Sequence, residues 1–211
     1  MKTLPGRFSV ISPVNLINML ELGIDNYKKI IEGVSSMDKH FYKSTILNNL
    51  PVNLALVNIW NINFLSKYAN VIVPYAYRLR SFPDYLQQIE MESNGKSINF
   101  ESEESPFLTS PLIWGGYGVD SQHSTFQWLM QGKTETSCDF IGLNNGQKET
   151  VESYEMLLAQ VLATTYGKSD KESPFKSIKG NNPCSILQMN SIDLKGLGFL
   201  LAIYEHKVFG P

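Results

Sequence analysis

The strongest constraint on the fold is the alternation of short apolar runs with helical patterns from residue 70 onward. Each run is short and mostly apolar, and a segment with helical spacing follows it. The runs are Val71–Val73, Leu112–Trp114, Phe140–Leu143 and Ser185–Met189, and the helical segments end near Glu92, Gln131, Tyr166 and Val208. This alternation indicates an α/β domain, in which a doubly wound parallel sheet carries helices on both faces.

The first 66 residues lack this alternation and predict a helical lead-in segment. Residues 13–22 read as a helix that is capped by Ser12 and ended by Gly23. A second, amphipathic helix is indicated by apolar residues at helical spacing, namely Tyr27, Ile30, Ile31 and Val34. Residues 53–65 are apolar on almost every side, which favours a buried helix over a strand. We therefore expect a helical segment over residues 1–66 and an α/β domain over residues 67–211.

Composition and charge argue against several functions. The 211 residues carry a formal net charge of −2, which gives no basic excess for nucleic acid or an anionic membrane. No apolar run approaches the roughly 20 residues that span a bilayer, and the first residues lack the apolar core of a signal peptide. Cys138 and Cys184 lie in apolar runs, which predicts free thiols and a reducing cytoplasm. The three histidines and two cysteines have no metal-site spacing, so no metal is expected.

One helix is expected to end by presenting a carboxylate, Glu92, to a glycine-containing turn. Pro83 suits an early helical position, and Asn94–Gly95 supplies residues that can adopt the positive φ that ends many helices. A carboxylate in the last turn lies at the negative end of the helix dipole, which disfavours its charged form and suits a general base. On position alone, a solvated helix-end residue is the more common explanation of the same pattern.

The blocks around Glu92 and elsewhere resemble those of the phosphoglucose isomerase family. Residues Met91–Lys96, Met-Glu-Ser-Asn-Gly-Lys, match the family block whose Glu is the catalytic base. Pro5–Ser9 is similar to the family's Gly-Gly-Arg-Phe/Tyr-Ser signature, with Pro5 in place of the first Gly, and Ser121–Gln127 is similar to Asn-Gly-Gln-His-x-x-x-Gln. Further blocks follow in the family's order: Gln131–Gly132, Cys138–Phe140, Gly180–Pro183 and Tyr204–Lys207. The resemblance runs from Leu4 to Phe209.

This resemblance implies a sugar-isomerase-type domain and the reversible conversion of glucose 6-phosphate to fructose 6-phosphate. It implies that Glu92 is the base, that Arg7 stabilises the enediolate, and that His123 opens the sugar ring as an acid/base. Gln88 and Gln122 are the implied substrate-binding residues. We expect His123 in the first turn of a helix capped by Asp120 or Ser121. The family works without a metal or organic cofactor, as a cytoplasmic homodimer of glycolysis and gluconeogenesis, with the histidine supplied by the neighbouring subunit.

Parts of the family pattern have no counterpart in this sequence. The N-terminal half, with its phosphate-binding loop, and the C-terminal segment with a substrate-facing lysine are not recognisable. We therefore expect a C-terminal half that is truncated at both ends and lacks its last strand and helix. One face of the last helix would then lose part of its cover, namely Leu197, Leu200, Leu201, Ile203 and Val208. The alternatives to an active isomerase are an inactive or partner-dependent fragment and a sugar-phosphate-binding module without catalysis.

Overall fold

The computed structural model describes residues 6–99 and 101–209, which form two compact units. The first unit contains the described residues up to Asn58 together with those from Ile192 onward, and the second is Ile59–Ser191. The first boundary between the two units, after Asn58, lies a few residues before the boundary that we expected at residue 66. The last helix, which we expected in the α/β domain, groups instead with the N-terminal helices.

The first unit is helical. It contains α1 (Leu16–Leu22), α2 (Ile24–Lys43), the beginning of α3 (Leu50–Asn63) and α9 (Leu194–Phe209). A short turn precedes α1, and the Ser12 hydroxyl accepts a hydrogen bond from the Val14 N–H at 3.3 Å. Gly23 ends α1 with a φ of 76°. The expected cap at Ser12 and end at Gly23 are therefore confirmed, whereas the first three expected helical residues form a 3₁₀ turn.

The two long helices of this unit, α2 and α9, bury each other's apolar faces. Met37 of α2 and Leu200 and Tyr204 of α9 are completely buried. The expectation that one face of α9 loses its cover is therefore wrong, because α2 packs along it. The expectation of a buried helix after residue 53 is also wrong in part, since Trp60 of α3 is 54% exposed.

The second unit contains a parallel sheet of β1 (Ala69–Pro74), β2 (Leu112–Gly115), β3 (Ser137–Leu143) and β4 (Cys184–Met189), in the order β2-β1-β3-β4. Its helices are α4 (Phe82–Leu86), α5 (Glu92–Asn94), α6 (Gly118–Ser121), α7 (Thr125–Gln131) and α8 (Lys148–Tyr166). The predicted α/β fold with a parallel sheet is thus confirmed.

The main core of the second unit lies on one face of the sheet. Val71 and Phe140 project there from β1 and β3, against Phe126 of α7 and Leu157 of α8. Because side chains alternate along a strand, Ile72 points to the opposite face, where it is also fully buried. Burial on both faces explains why these strands read as continuous apolar runs rather than alternating ones.

Candidate active site

Glu92 lies in the last turn of a helical segment that changes its winding halfway along. The segment begins as α4, continues as a π-helical turn over Gln87–Met91, and returns to α-helix at α5. Pro83 occupies one of its first positions, as expected. Glu92 is exposed, so its carboxylate is accessible to a small molecule.

Gly95 ends this segment, but by a different mechanism from the one that the sequence suggested. Its φ is −71°, so the expected positive φ is wrong. The Gly95 N–H donates to the Met91 carbonyl at 3.0 Å, and a Cβ added at residue 95 would lie 2.3 Å from that same oxygen. Glycine is needed here because the chain approaches its own backbone closely.

The π-helical turn directs two nearby carboxylates differently. Glu90, inside the turn, is 2% exposed, whereas Glu92, just after it, is exposed. Single π turns occur frequently at functional sites because the extra residue redirects the side chains that follow. Glu92 therefore stands as the accessible carboxylate of the pair, as a proton-transfer group must.

The structure brings Gln88 together with Glu92. Both line an open depression of about 460 Å³, whose other walls come from α4, the π turn and the start of β2, through Asp84, Gln87, Met91, Leu112 and Ile113. The sulfur of Met91 accepts the Ile113 N–H at 3.4 Å, which fastens the turn to β2. Thr109 donates its hydroxyl to the Lys96 carbonyl at 2.9 Å, just beyond the helix end. The site residue thus stands on a braced segment.

His123 lies in a different place from the one expected. It is an exposed residue of the turn that joins α6 to α7, and not a residue of a helical first turn. Asp120 and Ser121 are part of α6, so neither caps the helix that follows. The expectation fails because Gly118 already starts a helix, which ends before the histidine.

Gln122 is held inside the second unit by two other side chains. Its amide donates to the Tyr75 hydroxyl at 3.3 Å, and its carbonyl accepts from the Gln160 amide at 2.8 Å. Burial raises the pKa of the Tyr75 hydroxyl to about 12, so this group stays protonated near neutral pH. These bonds position the turn that carries His123. No spacing in the sequence indicates them, because the three residues come from distant segments.

Glu92 and Gln122 lie at opposite ends of the sheet. The Glu92 depression contains Leu112, which pairs with Ala69 at the beginning of β1, whereas Gln122 binds Tyr75 just after the end of β1. Ala69 to Tyr75 is an extended run whose length is about 20 Å at 3.3 Å per residue. The carboxylate and the histidine turn of one chain therefore do not face one shared small substrate.

Arg7 belongs to the first unit. It lies in the short turn Gly6–Phe8, is partly buried, and holds its guanidinium 5.4 Å from the centre of the Phe8 ring. Pro5, which departs from the family signature, lies outside the described residues. Among residues 6–99 and 101–209, no group of three or more His, Cys, Asp or Glu side chains could hold a metal ion. No helix within those ranges is long and apolar enough to cross a membrane.

Comparison with known proteins decides the family. A model of the phosphoglucose isomerase family matches residues 1–210. The chain belongs to the phosphoglucose isomerase family. Glucose-6-phosphate isomerases from Hydrogenovibrio crunogenus and Christiangramia forsetii are 37% and 36% identical to it, over 97% of this chain. The chain spans 42% of the length of each of these relatives.

Solved structures place this phosphoglucose isomerase family member in the same fold. A glucose-6-phosphate isomerase from Chlamydia trachomatis superposes with a TM-score of 0.92 at 36% identity, covering 98% of this chain and 42% of that protein. A protein from Thermus thermophilus superposes with a TM-score of 0.71 at 18% identity, which shows the fold alone. The predicted membership of the phosphoglucose isomerase family is thereby confirmed.

Proposed function

We propose that this chain carries the proton-transfer machinery of an aldose–ketose isomerase that interconverts glucose 6-phosphate and fructose 6-phosphate. The observation that carries the proposal is the exposed carboxylate of Glu92, directed by a π turn into a depression shared with Gln88, in a member of this family. An open depression with two accessible carboxylates, Glu92 and Asp84, and a neighbouring amide can bind a polyhydroxy compound and move a proton within it.

In the proposed reaction, Glu92 removes the proton from C2 of the open-chain aldose and returns it to C1. The electrons of the broken C–H bond form the C1=C2 bond of an enediolate whose negative charge lies on O1. A proton then passes from O2 to O1, and protonation of C1 by Glu92 leaves the C2 carbonyl of the ketose. Arg7 has a permanent charge and a fork of donors suited to the enediolate oxygen. His123 exchanges the proton that opens the ring, and Gln88 binds a substrate hydroxyl. The reaction is redox-neutral overall, and we propose that these side chains perform it without a metal or organic cofactor.

The cellular setting is part of the same proposal. We assign the reaction to glycolysis and gluconeogenesis in the cytoplasm, since Cys138 and Cys184 are both free thiols. Free thiols persist where the surroundings are reducing.

A coupled assay on the purified chain tests this function. Fructose 6-phosphate is supplied, and the glucose 6-phosphate formed is oxidised by its dehydrogenase with reduction of NADP. We expect NADPH to form at a rate proportional to the concentration of the chain. Absence of turnover by a folded chain contradicts the proposal. Calorimetric binding of fructose 6-phosphate without turnover would instead identify a sugar-phosphate-binding module.

We also propose that the working site combines two copies of the chain. The support is geometric, because Glu92 and the His123 turn of one chain lie at opposite ends of its sheet. In a symmetric dimer each surface patch is used twice, so His123 of the partner subunit can complete the Glu92 site.

Mixing two inactive variants tests the shared site. The Glu92→Gln and His123→Asn chains, each inactive, are unfolded together, refolded and assayed. Half of the dimers contain one of each chain, and each of these has one intact site, so we expect about a quarter of the unsubstituted activity. If both residues of a site come from one chain, mixing restores no activity, and that outcome contradicts the proposal.

A further inference from the structure

The two cysteines of the chain lie side by side in the sheet. Cys138 of β3 is the register partner of Cys184, the first residue of β4, and both are free thiols. Register partners on parallel strands project their side chains to the same face, with backbones about 4.8 Å apart. That separation falls within the range of about 4.4–6.8 Å between the Cα atoms of a disulfide.

The two thiols have complementary surroundings. Cys138 is 1% exposed within the main core, whereas Cys184 is only partly buried. A hydrogen bond from the Cys138 thiol lowers the pKa of Cys184, and Thr165 lowers it further, against the opposing effect of burial. The same bond and burial raise the pKa of Cys138. Relative to Cys138, the thiolate, which is the reactive form, is favoured at Cys184, although the Cys184 thiol also donates to the Asn182 carbonyl at 3.3 Å.

A cavity borders Pro183, the residue that precedes Cys184. Its volume is about 350 Å³, and its walls also include Thr165, which is hydrogen-bonded to that cysteine. The buried Lys67 also lines the cavity, and its ammonium contacts Glu135 and donates to the Asn181 carbonyl at 3.0 Å. Lys67, Glu135 and Asn181 give the cavity polar groups that a small polar oxidant could contact.

We propose that Cys138 and Cys184 form an oxidation site for a hydroperoxide, with Cys184 as the attacking thiol and Cys138 as the resolving one. With hydrogen peroxide, the Cys184 thiolate attacks one oxygen, the O–O bond breaks, and the departing hydroxide takes up a proton to become water. The Cys138 thiol then gives up its proton and attacks the Cys184 sulfenic acid. An S–S bond forms, the S–O bond breaks, and a second water leaves. Each sulfur is oxidised by one electron, and the hydroperoxide is reduced by two.

The backbone permits this closure with a local movement. A relaxed disulfide places its Cβ atoms about 3.8 Å apart, which is closer than paired strands hold them, so the end of β4 must shift toward β3. The shift is confined to the start of the strand, since β4 begins at Cys184 itself. A bond formed against this resistance is readily reduced.

Treatment of the folded chain with hydrogen peroxide tests the proposal. After quenching, we expect the monomer to lose both free thiols and two hydrogens in mass, and to regain both thiols with dithiothreitol. Peptide mapping should find Cys138 linked to Cys184 within one chain. A disulfide between chains, or oxidation of Cys184 to sulfinic acid with Cys138 still free, overturns the proposal.

Two serine variants separate the roles of the thiols. The Cys138→Ser chain should stop at a sulfenic acid on Cys184 that dimedone traps, because no resolving thiol remains. The Cys184→Ser chain should keep its single thiol unmodified while folded. Dimedone labelling of Cys138 in that second variant contradicts the assigned order. The unsubstituted chain carries the test even if a variant fails to fold, because peptide mapping needs no substitution.

Discussion

The Glu92→Gln chain is expected to lose isomerase turnover by about a thousandfold, since general acid–base groups contribute roughly 10²–10⁴-fold. Glutamine keeps the size and hydrogen-bonding reach of the side chain but cannot accept the C2 proton. Glu92 is exposed, so the substitution should leave folding unchanged. The loss should appear in kcat with little change in KM, because a proton acceptor acts in the transition state.

Two measurements are made on the variant and the unsubstituted chain. The first gives kcat and KM for both directions of the isomerisation, and the second gives the rate at which the C2 proton of the substrate exchanges with deuterated water. Exchange should disappear together with turnover, because both need the same base. Glu103→Gln is the matched control: Glu103 is an exposed carboxylate outside the depression, and that variant should keep full activity. Retention of more than about a tenth of kcat by Glu92→Gln would show that another group is the base.

The sequence predicted the sheet because its strands are buried on both faces. Such strands read as apolar runs that polar segments interrupt, and β1 and β3 fall where those runs lie. The helix end at Glu92 was also predicted, since Pro83 and Gly95 mark the two ends of the segment. The family blocks added the candidate role of Glu92. Helix geometry alone does not distinguish this residue from an ordinary surface carboxylate.

The predictions that failed concern residues whose positions depend on partners distant in the sequence. The π turn over Gln87–Met91 has no sequence signature, and it arises where the helix is fastened to β2 through Met91. His123 was expected on a helix because Asp120 and Ser121 look like caps, but they are used within α6. The Gln122 bonds to Tyr75 and Gln160 likewise depend on the tertiary fold.

Two glycines also have a structural role that the sequence does not reveal. From the sequence alone, each is only a residue with low helix propensity inside a helix. Gly33 lies in the middle of α2 and Gly198 in α9. A Cβ at Gly33 would lie 2.0 Å from the Lys195 carbonyl oxygen, and one at Gly198 would lie 2.0 Å from the Ile30 carbonyl oxygen. The two helices therefore touch backbone to backbone at this point.

Gly198→Ala is expected to lower the free energy of unfolding by about 3 kcal/mol, at the upper end of the usual cost of overpacking. Helix propensity predicts the opposite sign, since alanine is favoured over glycine by about 1 kcal/mol inside a helix. Packing should prevail because the clash is with a backbone carbonyl, which cannot move without separating α2 from α9. That separation would expose the buried side chains of Met37, Leu200 and Tyr204.

Urea unfolding followed by circular dichroism measures this effect, with Gly6→Ala as the control. A Cβ at Gly6 would meet no atom within 4 Å, so that variant should unfold at the same urea concentration as the unsubstituted chain. Gly198→Ala contradicts the prediction if its midpoint is unchanged or higher. The double variant Gly33→Ala with Gly198→Ala should cost less than the sum of the single changes. Once one methyl has separated the helices, the second finds space already open, and contacting sites of this kind are not additive.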